Sequence, residues 1–178
     1  MTKANSTGRF HRLTIMPMMA SLSNLRGISG KAEAFERDGG RDPALLLQKR
    51  LYPDMFTLNQ QLLYALYLPC DFARHFADEA PPRAGYDEKS FEQVYASLSA
   101  VSEYLGAIDP DHMDALADRI VPSFFDGKRG VAAETYAARV SMPDFYFHLS
   151  VAYAILRHNG VPLVKDDYLG TVEMVALS

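Results

Sequence analysis

The chain has 178 residues, enough for one domain with a single hydrophobic core. Its 18 basic and 22 acidic residues give a formal net charge of −4, which provides no basic field for a nucleic-acid backbone, so we expect no nucleic-acid partner. The single cysteine, Cys70, excludes an intrachain disulfide and favours a reducing compartment, the cytoplasm. No apolar run reaches the roughly 20 residues that span a bilayer, so no membrane role is expected.

The N-terminal region divides into a polar stretch and a helix. The first dozen residues carry basic and hydroxyl side chains and no acids, and we expect residues 1–13 to form a flexible tail ahead of a single domain over residues 14–178. From Ile15, apolar side chains recur at spacings of three and four, which predicts a first helix that ends at Gly39-Gly40.

The next segment predicts a short helix followed by a long one. Asp42 and Pro43 are typical of an N-cap and a first helical residue, and Pro53 ends or bends that short helix. Asp54 is then expected to restart the helix, whose apolar stripe continues to Phe76. Pro69 lies on this stripe and predicts a bend.

A charged, turn-rich segment over residues 78–90 predicts the long connection between the two halves of the chain. Ser90 and Gln93 form a capping-box pattern at the start of a third helix, which carries the most regular apolar repeat in the sequence. Asp109-Pro110 ends that helix and opens a short helical turn.

The C-terminal third predicts a small β-hairpin and then the last long helix. Two short apolar runs flank Asp126-Gly127, a common tight-turn pair. Helical spacing resumes near Ala133 and continues to Asn159, with Pro143 as a second predicted bend and Gly160 as the C-terminal cap. Four long helices and one hairpin before the last helix predict an all-α four-helix bundle.

Two segments resemble a known family. FYFHLSVAYAILRHNGV, residues 145–161, and LYPDMF, residues 51–56, are similar to an uncharacterised bacterial and fungal domain-of-unknown-function family in the DinB/YfiT-like superfamily. The resemblance extends over residues 15–170 and implies a DinB-like four-helix bundle. The family itself has no established activity.

The resemblance also indicates where a metal centre would lie. Better-known members of the superfamily hold a divalent metal, such as Zn or Ni, with one histidine on the second helix and two histidines four residues apart on the last helix, and some are thiol-dependent transferases. Those positions correspond here to Gln60 or Gln61, to Asp144 and to His148. Tyr67 and Cys70 occupy positions where the family has polar and basic residues, and Arg139 occupies one where it has a histidine. These departures weaken the transfer of that chemistry.

Asp144 and His148 therefore have two interpretations. Positions i and i+4 share one helix face, the geometry that a helical metal pair needs. Two ligands are too few for zinc, however, and glutamine amides are poor ligands for it. In the architectural interpretation, Ser141 and Asp144 form an S-x-x-D capping pattern, and His148 is a buried imidazole bonded to a backbone carbonyl or a tyrosine. We favour the architectural interpretation and expect no cofactor.

The last helix also carries a semi-polar strip that includes Tyr146, Ser150 and Tyr153. This strip predicts either a small-molecule pocket in the bundle core, near Gln60, Gln61 and Arg139, or a contact with a second subunit. Because the helix is apolar on nearly every face, we expect a homodimer.

Two functions remain open on the sequence. The favoured hypothesis is a cytoplasmic, dimeric binding or interaction module whose metal site is lost or degenerate. The alternative is a divalent-metal-dependent transferase, thiol-dependent or hydrolase-like, for which no catalytic residue can be assigned.

Overall fold

A computed structural model describes residues 8–83, 89–122, 128–172 and 174–176. The elements in chain order are α1 (Arg9–Leu13), α2 (Ile15–Asp38), a 3₁₀ helix (Pro43–Gln48), α3 (Leu58–Ala73), α4 (Phe91–Gly106), α5 (Pro110–Ala115), β1 (Ile120–Pro122), β2 (Gly130–Ala132), α6 (Ala133–Tyr136), a π-helical segment (Ala137–Ser141), α7 (Met142–His158) and α8 (Lys165–Leu169).

The long helices α2, α3, α4 and α7 form a four-helix bundle, which confirms the predicted fold class. Helix α3 packs along α7 and also contacts α4 and α2, while α2 packs against α4. The core contains the apolar stripe of each helix, including Leu22, Leu62, Leu98 and Phe145. None of the described helices combines the length and hydropathy that crossing a lipid bilayer requires.

The predicted N-terminal tail is too long, because residues 9–13 are helical. The side chain of Phe10 is buried, and its ring packs edge-on against Phe72 at 5.9 Å and Phe76 at 5.8 Å. The carboxylate of Asp114 accepts hydrogen bonds from the backbone N–H groups of Arg9 and Phe10, both at 2.7 Å. A distant side chain thus satisfies two donors at the start of α1, a contact that local sequence does not reveal.

The second long helix begins later than predicted. Asp42 caps the 3₁₀ helix as expected, but the chain does not become helical again at Asp54. Instead Thr57 caps α3: its hydroxyl accepts from Gln60 N–H, and Gln60 Oε1 accepts from Thr57 N–H at 2.9 Å, a complete capping box. Residues 51–56 form a loop closed by a bridge between Arg50 and Thr57.

The third helix and the hairpin are confirmed. Ser90 caps α4 by accepting from Gln93 N–H, and Asp109 caps α5 by accepting from His112 N–H. Strands β1 and β2 pair antiparallel, with Val121 opposite Val131. The predicted turn residues Asp126 and Gly127 lie outside the described residues.

The predicted S-x-x-D cap at Ser141 is wrong. Ser141 has helical torsion angles, φ −62° and ψ −51°, because helical structure already runs from Ala133 through the π-helical segment into α7. Its hydroxyl is buried and has no hydrogen-bond partner among the described residues. The π-helical pattern precedes Pro143, which has no N–H to donate to the carbonyl of Arg139.

The helices continue through both predicted bends. Pro69 lies inside α3, and Pro143 lies in the first turn of α7 directly after the π-helical segment. The bend angles at these two prolines stay predictions. Gly160, at φ +89°, follows α7 in the left-handed region, as the predicted cap requires.

The C-terminal helix α8 packs against α2 and contacts α7 through Tyr168. Asn24 of α2 donates to the carbonyl of Tyr168 at 3.1 Å, and Lys31 forms an ion pair with Asp167 at 2.6 Å. The Tyr168 hydroxyl lies 2.9 Å from the hydroxyl of Ser150 on α7. Part of the last helix is therefore covered by this chain's own C-terminal segment.

Thr57, which caps a helix, and Ser141, which does not, provide a matched test of where the two helices begin. Thr57→Ala removes a capping side chain and is expected to lower the free energy of unfolding by about 0.5 to 2 kcal/mol. Ser141→Ala removes a buried hydroxyl without a partner and is expected to change it by less than about 0.5 kcal/mol, or to raise it. Urea denaturation measures both; an equal loss in the two variants would contradict the assignment.

Candidate functional site

The candidate site lies on the seam between α3 and α7, at His148. This residue is on the inner face of α7, one turn after Asp144, and only 7% of its surface is exposed. Gln61 faces it from the first turns of α3 and is 2% exposed. The capping box at Thr57 sets where α3 begins and thereby which residues face α7.

One buried hydrogen bond joins the two helices. His148 Nδ1 lies 2.7 Å from Gln61 Oε1. Because an amide oxygen can only accept, Nδ1 carries the proton and donates it. The other ring nitrogen, Nε2, is then an unprotonated acceptor in the neutral imidazole. The predicted partner of His148, a backbone carbonyl or a tyrosine, is wrong: the partner is the side-chain amide of Gln61.

Asp144 faces the opposite edge of the same ring. Its Oδ1 lies 3.4 Å from His148 Nε2, beyond the range of a strong hydrogen bond. The Asp144 side chain is 39% exposed, so water reaches this carboxylate. The i and i+4 spacing therefore places the acid beside the imidazole, as the sequence predicts, without a short bond between them.

Aromatic rings cover one face of the imidazole. Tyr64 stacks on His148 with ring centroids 4.7 Å apart and an interplanar angle of 15°. Phe56, at the end of the 51–56 loop, stacks on Tyr64 at 5.2 Å and lies 6.2 Å from His148. Phe147 approaches the imidazole edge-on at 5.3 Å. We call Phe56, Tyr64, Phe147 and His148 the aromatic cluster.

Burial and the neighbouring acid act on the imidazole in opposite directions. Removal from water disfavours the charged ring and lowers the pKa of His148. The Asp144 carboxylate favours the charged ring and raises that pKa, but by less. His148 is therefore neutral at pH 7, which agrees with one protonated and one unprotonated ring nitrogen.

The residues at this site do not fit the metal centre that the superfamily resemblance implies. Gln61 and Asp144 lie on opposite edges of the imidazole, so their oxygens cannot converge with one ring nitrogen on a single ion. The remaining pair, one imidazole nitrogen and one carboxylate, is fewer than the three or four ligands that zinc takes. Among the described residues, no group of three or more His, Cys, Asp or Glu side chains is arranged to hold a metal ion.

The other predicted pocket residues are dispersed. Gln60 is used in the capping box, and Arg139 is exposed on the π-helical segment. Tyr146 packs edge-on against the neighbouring Phe145 at 5.0 Å. Tyr153 packs against Tyr168 of α8 at 5.8 Å. Of the five predicted pocket residues, only Gln61 forms a hydrogen bond with His148.

Sequence reasoning missed Tyr64 and Phe56. Tyr64 lies three residues after Gln61, so both occupy one face of α3, and this spacing was a usable signal. Phe56 belongs to the LYPDMF segment and reaches His148 only because the bridge between Arg50 and Thr57 closes the loop. Nothing in the local sequence indicates that closure.

Comparison with known proteins assigns the chain to a family. Residues 10–169 match the family described as Domain of unknown function (DUF1993). The chain belongs to the DUF1993 family. No curated protein matches it.

A solved structure shares the fold over nearly the whole chain. The crystal structure of a DinB family member from Shewanella denitrificans is similar with a TM-score of 0.88 and 29% sequence identity. The match covers 96% of this chain and 97% of that one. The DUF1993 chain therefore has a DinB-like bundle, as the resemblance of residues 51–56 and 145–161 predicts.

Histidine burial predicts how stability depends on pH. The pKa of His148 is lowered by burial, as are those of His11 and His75. Below the unfolded-state pKa of about 6.5, the unfolded chain binds protons that the folded chain does not, so stability falls as the pH drops through this range. His148→Asn removes one titrating group and is expected to reduce the slope of unfolding free energy against pH by at most about one proton.

Urea denaturation between about pH 5 and pH 8 measures that slope. The matched control is His158→Asn, which removes an exposed imidazole from the end of the same helix. The account predicts a larger change of slope for His148→Asn, and equal changes in the two variants would contradict it.

Proposed function

We propose that this DUF1993 protein is a binding or interaction module rather than a metal-dependent enzyme, and that it acts through the surface around His148. The observation that carries the proposal is the placement of Gln61 and Asp144 on opposite edges of the His148 ring. With Nδ1 held by an amide, the imidazole serves to join α3 to α7. A reducing compartment such as the cytoplasm agrees with the single free thiol of Cys70.

The surface around the aromatic cluster supports an interaction role. Phe147 is 54% exposed and Phe56 is 40% exposed, and Tyr52, at 65%, projects from the same 51–56 loop. Aromatic residues are enriched in protein interfaces, where each buries a large apolar area. We propose that this face forms the contact of a homodimer.

Metal analysis separates this proposal from its alternative, a divalent-metal-dependent transferase. We expect protein purified without an affinity tag to contain less than one equivalent of zinc, nickel or iron, because two protein ligands hold such ions weakly. Elemental analysis measures the content. Stoichiometric metal in the wild type that is absent from both Asp144→Asn and His148→Asn would favour the transferase.

The dimer is tested separately. Wild-type protein is expected to have twice the mass of one chain in multi-angle light scattering. Phe147→Glu places a charge on the proposed contact and is expected to give the monomer mass. Met16→Glu is the control, since Met16 is exposed to a similar extent, 51%, on α2. A monomeric wild type across a wide concentration range, or dissociation by Met16→Glu alone, would contradict the proposal.

A further inference from the structure

Helix α3 also lines a cavity away from His148. This cavity of about 550 Å³ opens beside the end of the helix, within the range of roughly 300–1,000 Å³ that small-molecule pockets occupy. Its described lining includes Tyr67, Cys70 and Asp71 of α3, Arg74 directly after that helix, and the segment from Pro81 to Arg83. Asp71 lies ten residues after Gln61, which is about 15 Å along the helix axis.

Asp71 is a buried carboxylate that already has its donors. It is 8% exposed, and its Oδ1 accepts from Arg74 Nε at 2.9 Å and from the Tyr67 hydroxyl at 3.3 Å. Its Oδ2 accepts from the hydroxyl of Tyr136 at 3.3 Å. The role that these contacts indicate is to position Arg74, because the carboxylate is neutralised and hydrogen-bonded within the protein.

The cavity lining has an excess of positive charge. Arg74 uses Nε for Asp71, and this is the only hydrogen bond of its side chain among the described residues, so its terminal N–H groups are available. Arg83 contributes a second guanidinium from the segment after the helix. Among the described lining residues, one carboxylate against two guanidiniums leaves a net charge of +1.

The rest of the described lining is uncharged. Burial and, to a smaller extent, the Asp71 carboxylate raise the pKa of the Cys70 thiol to about 12, so the thiol is protonated at pH 7. Leu63, the ring of Tyr67 and the pair Pro81-Pro82 add apolar walls. A ligand that matches this lining has an apolar body and one negative charge.

We propose that this cavity binds a small organic monocarboxylate, with its carboxylate held by Arg74 and Arg83 and its apolar body against Tyr67 and Pro81-Pro82. Guanidinium groups match the planar geometry of a carboxylate, which can accept two parallel N–H bonds. A doubly charged phosphate would leave negative charge uncompensated in a lining of net charge +1. The proposal is independent of the function proposed for the surface around His148.

Benzoate and benzamide provide a matched pair of probes, because they have nearly the same shape and differ in charge. Calorimetric titration of the full chain is expected to show benzoate binding at least tenfold more tightly than benzamide or inorganic phosphate. Arg83→Gln is expected to weaken benzoate binding about tenfold, as loss of one charge-assisted hydrogen bond does. Arg37→Gln, at an exposed arginine of α2, removes the same charge elsewhere and is expected to leave affinity unchanged.

Backbone amide resonances locate the binding. Saturating benzoate is expected to shift the amide resonances of Tyr67 and Arg74 in the wild type and to shift them less in Arg83→Gln at the same benzoate concentration. The proposal would be overturned by absence of benzoate binding at millimolar concentration, by equal affinity for benzamide, by tighter binding of phosphate or by equal weakening in Arg37→Gln. It would also be overturned if bound benzoate left the resonances of Tyr67 and Arg74 unchanged.

Discussion

A buried hydrogen bond between Gln61 and His148 joins α3 to α7, and the arrangement of the site depends on it. Both side chains are removed from water. Loss of either one therefore leaves a buried polar group unpaired, which lowers the free energy of unfolding by about 1 to 3 kcal/mol. The bond determines which imidazole nitrogen carries the proton. It also holds the ring with one face against Tyr64 and one edge towards Asp144. A directional hydrogen bond of this kind specifies one arrangement of the two helices more narrowly than apolar contacts alone.

This bond also bears on the metal centre that the resemblance to the DinB/YfiT-like superfamily led us to expect at this place. The DinB-like bundle brings Gln61, Asp144 and His148 together, as that expectation requires. The amide of Gln61 bonds the ring nitrogen on the far side from Asp144, so proximity in space does not produce convergence on one ion. A shared fold does not by itself determine the chemistry of a site.

The sequence predicted the long helices, the hairpin and the caps at Asp42, Ser90 and Gly160, because these depend on local periodicity and on residues close together in the chain. It failed where the outcome depends on context. Ser141 and Asp144 have the spacing of a cap, but the chain at Ser141 is already helical, and Thr57 rather than Asp54 begins α3. The pairing of Gln61 with His148, 87 residues apart, and the covering of Ser150 by Tyr168 are tertiary contacts that no local pattern encodes.

The most direct test of the account is the protonation state of the two His148 ring nitrogens, read by ¹⁵N NMR of the imidazole above pH 7. The account predicts a proton on Nδ1, none on Nε2, and chemical shifts that stay the same after a chelator is added and after one equivalent of zinc is added. A proton on Nε2, or a shift of the Nε2 resonance on addition of stoichiometric zinc that is lost in Asp144→Asn, would contradict it.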